Sequence, residues 1–263
     1  MDLSIIIVNY NSAAKTLACL ESLKKADLQD LEVELFLVDN NSDEAVEEAA
    51  KLIWPSLDFV GNDKNLGMGA GNNVGLRRAR GEYVLVLNPD TELKPGSIKT
   101  MIRYLKSDES VGLVGPKLLY PDGQEQDSCF RYPNIFLPLL RRTFLGYFAK
   151  DYLDSYLMKN LDMSKPQSVE WIMGSCLMIR KSVLDQVGFF DERFFMYLED
   201  TDLCRRINNA GFKVVYLPTA EAIHHHGRAS AKHHWLVAPF INKLSRIHLA
   251  SLVKYMAKWH KFQ

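Results

Sequence analysis

The chain opens with the aliphatic run LSIIIV, the pattern of a strand covered on both faces, and the run ends in the polar stretch Asn9-Tyr10-Asn11-Ser12. Ser12 stands where it can cap a helix whose apolar positions Leu17, Leu20 and Leu23 recur at helical spacing. LEVELFLV repeats the theme and stops at Asp39-Asn40-Asn41-Ser42, after which DEAVEEAAKLI reads as a helix with acids in its first turn. A short strand over Leu57 to Val60 follows, then a Gly/Asn-rich loop entering a helix (NLGMGAGNNVGLRRARG), and then the apolar strand of EYVLVLNPD. Pro95 starts a helix through about Leu105, and VGLVGPKLLY supplies a further strand. This alternation predicts an α/β fold with a doubly wound, mostly parallel sheet. Ligands of such sheets lie beyond the carboxyl ends of the strands, so NYNS, DNNS and NPDT are expected to line one crevice.

From Tyr120 to Val169 the pattern breaks into aromatic and basic residues, including Arg141 and Arg142, and reads as an insertion over the active site. Regular structure resumes at Val169 with a strand, a short helix, a loop, a helix carrying Leu203 and Ile207 on one face, and a last strand ending near Pro218. No acid follows Glu221, while Arg228, Lys232, Lys243, Arg246, Lys254, Lys258 and Lys261 are basic. Leu249, Leu252, Val253 and Met256 form an apolar stripe on this tail. Such a helix either lies on an anionic membrane surface or packs its stripe on the domain with the lysines in solvent. The pattern divides the chain into a domain over 1–238, with halves at about 1–118 and 119–238, and a tail over 239–263.

With 263 residues and 47% hydrophobic content, the chain can bury a full core. Lysine plus arginine number 32, as do aspartate plus glutamate, which argues against a nucleic-acid backbone as the main partner. Cys19, Cys129, Cys176 and Cys204 show no paired short spacing, so neither a zinc knuckle nor a redox pair is expected, and a reduced, cytoplasmic setting is. The segment Met1–Tyr10 reads as a strand rather than a signal peptide, and no apolar run reaches the roughly 18 residues of a membrane span.

Asp39 ends the second strand where a dinucleotide enzyme would bind a ribose, but the first turn is NYNS instead of a glycine-rich fingerprint. Asp39 is therefore expected to hold the edge of a single nucleotide. Asp90 is delivered at the ligand edge, where a hard cation bridging a diphosphate is needed; capping the turn into TELKPGS is its other reading. Of His224, His225 and His226, only His224 and His226 can face one site together on an extended segment. Glu199 and Asp200 lie between the aromatic run FFMYL and a helix, where one carboxylate can act as a general base while the other caps. Asp191, Glu192 and Asp202 are assigned structural duty.

IIIVNYNS, LVDNNS, KNLGMGAGNNVGL, VLVLNPDT, WIMGSCLMIR, FDERFFMYLEDTDLCRR and AIHHHGRAS, in that order, resemble the inverting family 2 glycosyltransferases of GT-A fold, in their rhamnosyltransferase-like branch. The resemblance spans roughly residues 3 to 230. It implies a Rossmann-like nucleotide half, an acceptor half and transfer of a sugar, with inversion, from a nucleotide-diphosphate donor to a hydroxyl. On this match Asn9, Tyr10, Asn11, Asp39, Asn41, Asn65, Gly67, Asn72, Asn88 and Asp90 bind the donor. Asp200 is the base, and Trp171, Gly174 and Glu199 lie on the acceptor side. Asp90 and His224, with His226 as the alternative ligand, hold Mg²⁺ or Mn²⁺, and Arg228 assists at phosphate. Asn88 replaces the first acid of the strict Asp-X-Asp form.

The resemblance points to dTDP-rhamnose or a UDP-sugar as donor and, with the aromatic stretch Cys129 to Tyr156, to a polyprenyl-diphosphate-linked glycan acceptor for cell-surface polysaccharide. The expected place is the cytoplasm, peripheral on the inner membrane face through the tail; a homodimer is compatible. Two rivals are a nucleotidylyltransferase, for which NYNSAAKT offers only Lys15 as a basic residue, and a non-catalytic nucleotide-sugar-binding or scaffold protein.

Overall fold

The computed structural model describes residues 1–225 and 242–259. Strand β1 (Leu3–Asn9) is buried along its whole length because β2 (Val33–Asp39) and β4 (Tyr83–Leu87) flank it in parallel and helices cover both its faces. Ile5 and Ile7 point into the core under α1 (Ala13–Lys24) and α4 (Ser97–Ser107), with Leu20, Leu23, Met101 and Leu105. Ile6 points the other way, toward Leu76 of α3 (Met68–Leu76), Leu184 of α8 (Lys181–Val187), and Leu203 and Ile207 of α9 (Glu199–Asn209). Each fully buried isoleucine contributes about 1.5–3 kcal/mol, so a one-residue slip of β1 would exchange its buried sets and is disfavoured.

The main sheet runs β3 (Asp58–Gly61), β2, β1, β4, β10 (Cys176–Arg180), β6 (Val111–Leu119), β11 (Lys213–His224), β5 (Thr91–Leu93), with β8 (Gln167–Val169) also on β11. The portion β3-β2-β1-β4 is parallel, as the βα alternation predicts. Beyond it the sheet is mixed: β10 inserts antiparallel between β4 and β6, and β5 pairs antiparallel with the end of β11. Helix α2 (Glu47–Ile53) is shorter than DEAVEEAAKLI suggests, with Glu47 and Glu48 in its first turn.

Two expectations require correction. The last strand does not end near Pro218: its pairing with β6 shifts between Leu217 and Glu221 and then resumes, because β5 offers a second partner, so β11 reaches His224. Nor do all the lysines of the tail helix turn to solvent: Lys243 and Lys254 are exposed, but Lys258 is drawn inward. In α10 (Lys243–Trp259) the apolar stripe divides: Leu252 and Met256, joined by Tyr255, pack on Phe194 and Leu198, while Leu249 and Val253 remain exposed. Lys254 donates to the Arg193 carbonyl (2.7 Å), and Lys258 bridges Asp191 (2.8 Å) and the fully buried Asp202 (2.6 Å). Asp202 also accepts from Trp259 Nε1 (2.9 Å) and pairs with Arg206 (2.9 Å), so Asp202 ties α10 to α9 and Asp191 ties it to the loop before α9. No described helix is long and apolar enough to cross a membrane.

Candidate active site

The parallel strands β1, β2 and β4 end side by side, with Asn9 opposite Asp39. Asn9 is fully buried; its amide donates to Asp39 Oδ1 (2.7 Å) and Ser42 Oγ (3.0 Å), and its carbonyl accepts from Ser12 and Thr16. Its side chain therefore sets the position of Asp39 instead of reaching into the cleft. Ser42 closes the loop on Asp39 through its backbone N–H (2.8 Å) and hydroxyl (2.6 Å). Asn11 and Asn41 both take the left-handed backbone conformation (φ 46° and 63°), which asparagine tolerates, and they shape the two loops at the crevice mouth. Tyr10 lies there half-exposed.

Asn40, rather than its candidate neighbour Asn41, joins this floor to the glycine-rich loop. It is buried, donates to the Gly67 carbonyl (3.1 Å) and accepts from Asn62 (2.9 Å). Asn65 accepts from the Gly67 N–H (2.8 Å), and Gly67 itself has φ +86° with its Cα against the Phe195 carbonyl, where a Cβ would lie 2.1 Å from the oxygen. Only glycine fits there. Asn72 is buried on α3, donates to Met68 O (2.9 Å) and keeps an unpartnered Oδ1.

The turn after β4 carries Asn88 and Asp90. The 91–93 and 222–224 segments pair antiparallel, with Thr91 opposite His224, and this register brings His224 Nε2 to 3.5 Å from Asp90 Oδ1. Lys15 of α1 lies 3.7 Å from Asp90 Oδ2. Burial pushes the Asp90 carboxyl up, but the hydrogen bond and charge of His224 and the charge of Lys15 outweigh it and hold it below the usual carboxylate range. His224 is buried, not part of an exposed loop, whereas His225 points at Glu92 (2.8 Å). His226 and Arg228 lie outside the described residues. Among the described residues no three acid, histidine or cysteine side chains cluster as a closed metal cage. One carboxylate and one imidazole, completed by phosphate oxygens, do suit Mg²⁺ or Mn²⁺.

One dipeptide ties this turn to the second acidic pair. The Ser175 carbonyl accepts from Asn88 N (2.9 Å), and Gly174 N donates to Asp200 Oδ2 (2.8 Å). A Cβ on Gly174 would sit 3.1 Å from that of Asp200, so the close approach depends on glycine. Asp200 Oδ1 accepts from the N–H (2.7 Å) and hydroxyl (3.3 Å) of Thr201. Glu199, by contrast, has a buried Oε2 with no hydrogen-bond partner. Burial, and then the charge of Asp200, push Glu199 up to about 8; burial also raises Asp200, against its three donors. Three donors thus hold the Asp200 carboxylate while Glu199 Oε2 has none, an asymmetry that favours the charge on Asp200 over Glu199. Trp171, expected on the acceptor side, stacks on Phe130 (4.6 Å) and donates to Arg131 O (2.7 Å); Phe130 in turn stacks on Tyr156.

This assignment predicts the pH behaviour of Glu199→Gln, which keeps the neutral form of the side chain. Its kcat at neutral pH is expected within about threefold of wild type, its acid limb unchanged, and the step near pH 8 in kcat lost. A variant as inactive as one lacking Asp200 would transfer the base role to Glu199.

The model of glycosyl transferase family 2 matches residues 4–188. The N-acetylglucosaminyl-diphospho-decaprenol L-rhamnosyltransferase of Mycobacterium tuberculosis is 32% identical over 88% of this chain and 78% of its own length. Rhamnosyltransferase WbbL of Escherichia coli is 28% identical over 97% and 92%. Among solved structures, the mannosyltransferase PcManGT of Pyrobaculum calidifontis in complex with GDP-Man and Mn²⁺ superposes with a TM-score of 0.60 at 18% identity, over 95% of this chain and 68% of that one. Other matching solved chains are longer, and this chain spans 43–60% of several of them.

Proposed function

This chain belongs to glycosyl transferase family 2 and has its GT-A fold, and from that membership we propose that it moves a rhamnosyl residue from dTDP-rhamnose, with a UDP-sugar as the alternative donor, to a hydroxyl of a lipid-linked glycan acceptor, with inversion. The observation that carries the proposal is the 32% identity, over most of both chains, to an enzyme named for rhamnosyl transfer to an N-acetylglucosaminyl-diphospho-lipid. Residues 1–118 serve as the nucleotide half, 119–238 as the acceptor half and 239–263 as a tail.

Asp39, oriented by Asn9 and Ser42, holds the nucleotide edge, and the Gly67 loop closes over it. Lys15 lies where it can share the diphosphate charge with the Asp90 turn. A divalent cation bound by Asp90 and His224 would neutralise the leaving diphosphate. Asp200 takes the proton of the acceptor hydroxyl, which attacks the anomeric carbon from the face opposite the diphosphate. Inversion requires no enzyme nucleophile, and the four cysteines are buried with their thiols pushed up by burial, unsuited to that role.

A lipid-linked acceptor fits the segment of α5 (Leu137–Arg142) and α6 (Leu145–Phe148), where Phe144, Tyr147 and Phe148 are 78–84% exposed and Leu137 packs in one cluster with Phe130 and Trp171. In this reading the enzyme works in the cytoplasm at the inner membrane face. The test incubates purified protein with dTDP-rhamnose or UDP-sugars, Mg²⁺ or Mn²⁺, and a lipid-linked N-acetylglucosaminyl diphosphate. Mass spectrometry is expected to show the acceptor gaining one deoxyhexose. Donor binding without transfer to any acceptor would favour the binding-protein alternative.

A further inference from the structure

Gln126 lies just beyond β6, buried, in a stretch where the sequence offers no chemical motif. A turn from Tyr120 to Gln124 folds the chain back so that Gln126 N donates to Leu118 O (2.9 Å) and its side chain enters the space behind His224. There its amide makes three contacts. Nε2 donates to the backbone carbonyl of His224 (2.7 Å) and lies 3.4 Å from that of Leu119, and Oε1 lies 3.0 Å from His224 Nδ1.

These contacts admit one orientation of the amide. Rotating it by half a turn would set Oε1 against two carbonyl oxygens, neither of which can donate. With Oε1 toward the ring, the atom it meets must carry hydrogen, so His224 is an Nδ1–H donor. The other ring nitrogen, Nε2, then faces Asp90 Oδ1 at 3.5 Å. On a neutral ring that places a lone pair against a carboxylate, an arrangement favourable only when a positive charge, either a proton or a metal cation, lies between them. A metal-ligating histidine needs the same arrangement: the far nitrogen bonded to an acceptor, the near one presented to the ion.

We propose that Gln126 is a positioning residue that locks His224 in the Nδ1–H tautomer and so makes Nε2 a ligand for the cation at the donor diphosphate. The inference rests on the reading of Asp90 and His224 as a cation site. It assigns a task to a residue outside every sequence motif that points to that site.

The test uses the full chain with Gln126→Leu and Gln126→Glu. Leucine removes the acceptor for Nδ1; glutamate keeps it but loses the donor to the two carbonyls. Mn²⁺ binding in the presence of UDP or dTDP, followed by electron paramagnetic resonance, is expected to weaken about 10–100-fold in Gln126→Leu and to stay within a few-fold of wild type in Gln126→Glu. Metal-free nucleotide affinity should not change in either. Both variants are expected to melt earlier, so melting alone cannot produce this split.

Nitrogen-15 spectra of histidine-labelled, metal-free wild type, with the His224 signals assigned by their loss in His224→Asn, are expected to show Nδ1–H on the neutral ring. An Nε2–H tautomer in wild type, or folded Gln126→Leu with unchanged Mn²⁺ affinity, would overturn the proposal. Absence of Mn²⁺ binding in wild type, with Nδ1–H still observed, would instead overturn the cation-site reading.

Discussion

Asp200→Asn is expected to lower kcat by about 10²–10⁴-fold, or about 3–5 kcal/mol of barrier, while leaving the KM for the donor near wild type. Asparagine keeps the shape and an oxygen able to accept from Gly174 N or Thr201, the bonds that fix Asp200 in the structure. What it loses is the charge needed to take a proton. Steady-state kinetics with donor and acceptor varied separately check this, and an unchanged kcat would remove Asp200 from the mechanism. The acid limb of the wild-type profile should lie above the usual carboxylate range, since burial raises Asp200 and activity is lost as pH falls through its folded-state value.

Asp202→Ala is expected to have the largest effect on stability. Its carboxylate is fully buried and shared by Arg206, Lys258 and Trp259, so its removal leaves Arg206 without its acid and Lys258 with Asp191 alone. Breaking such a buried arrangement costs about 3–5 kcal/mol. For a domain of this size that corresponds to a melting temperature lower by roughly 10 °C. Because Lys258 and Trp259 belong to α10, limited proteolysis should cut that helix in the variant before it does so in wild type. A loss below about 1 kcal/mol would show that the apolar contacts of Leu252, Tyr255 and Met256, not the buried ion pairs, dominate the docking of α10.

Much of the fold over residues 1–118 was legible in the sequence because its signals are local. A buried strand needs a continuous aliphatic run, a parallel strand is followed by a helix, and the polar ends of β1, β2 and β4 fall on one edge by topology alone. The Gly67 turn declares itself by composition, since the Phe195 carbonyl leaves no room for a Cβ. What escaped the sequence depends on pairing between distant segments. The three residues of β5 look like a turn until the end of β11 pairs with them, and only that pairing buries His224 beside Asp90.

For the same reason the division of labour among the asparagines was not legible. Asn9 and Asn40 spend their amides inside the loops, and Asn41 is a backbone element with positive φ. The basic tail misled through composition: an apolar stripe beside lysines describes a membrane-surface helix and a docked helix equally well. Acids from elsewhere in the chain, Asp191 and Asp202, decide the matter for Lys258.

The most direct test of the central claim is the anomeric configuration of the product, read by NMR from the new glycosidic linkage after transfer from a nucleotide sugar of known configuration. A single base at Asp200, with no enzyme nucleophile assigned, predicts a linkage of the opposite configuration to the donor. Retention would contradict the account, because it would require a covalent or front-face step that the arrangement of Asp200, Glu199 and Asp90 does not supply.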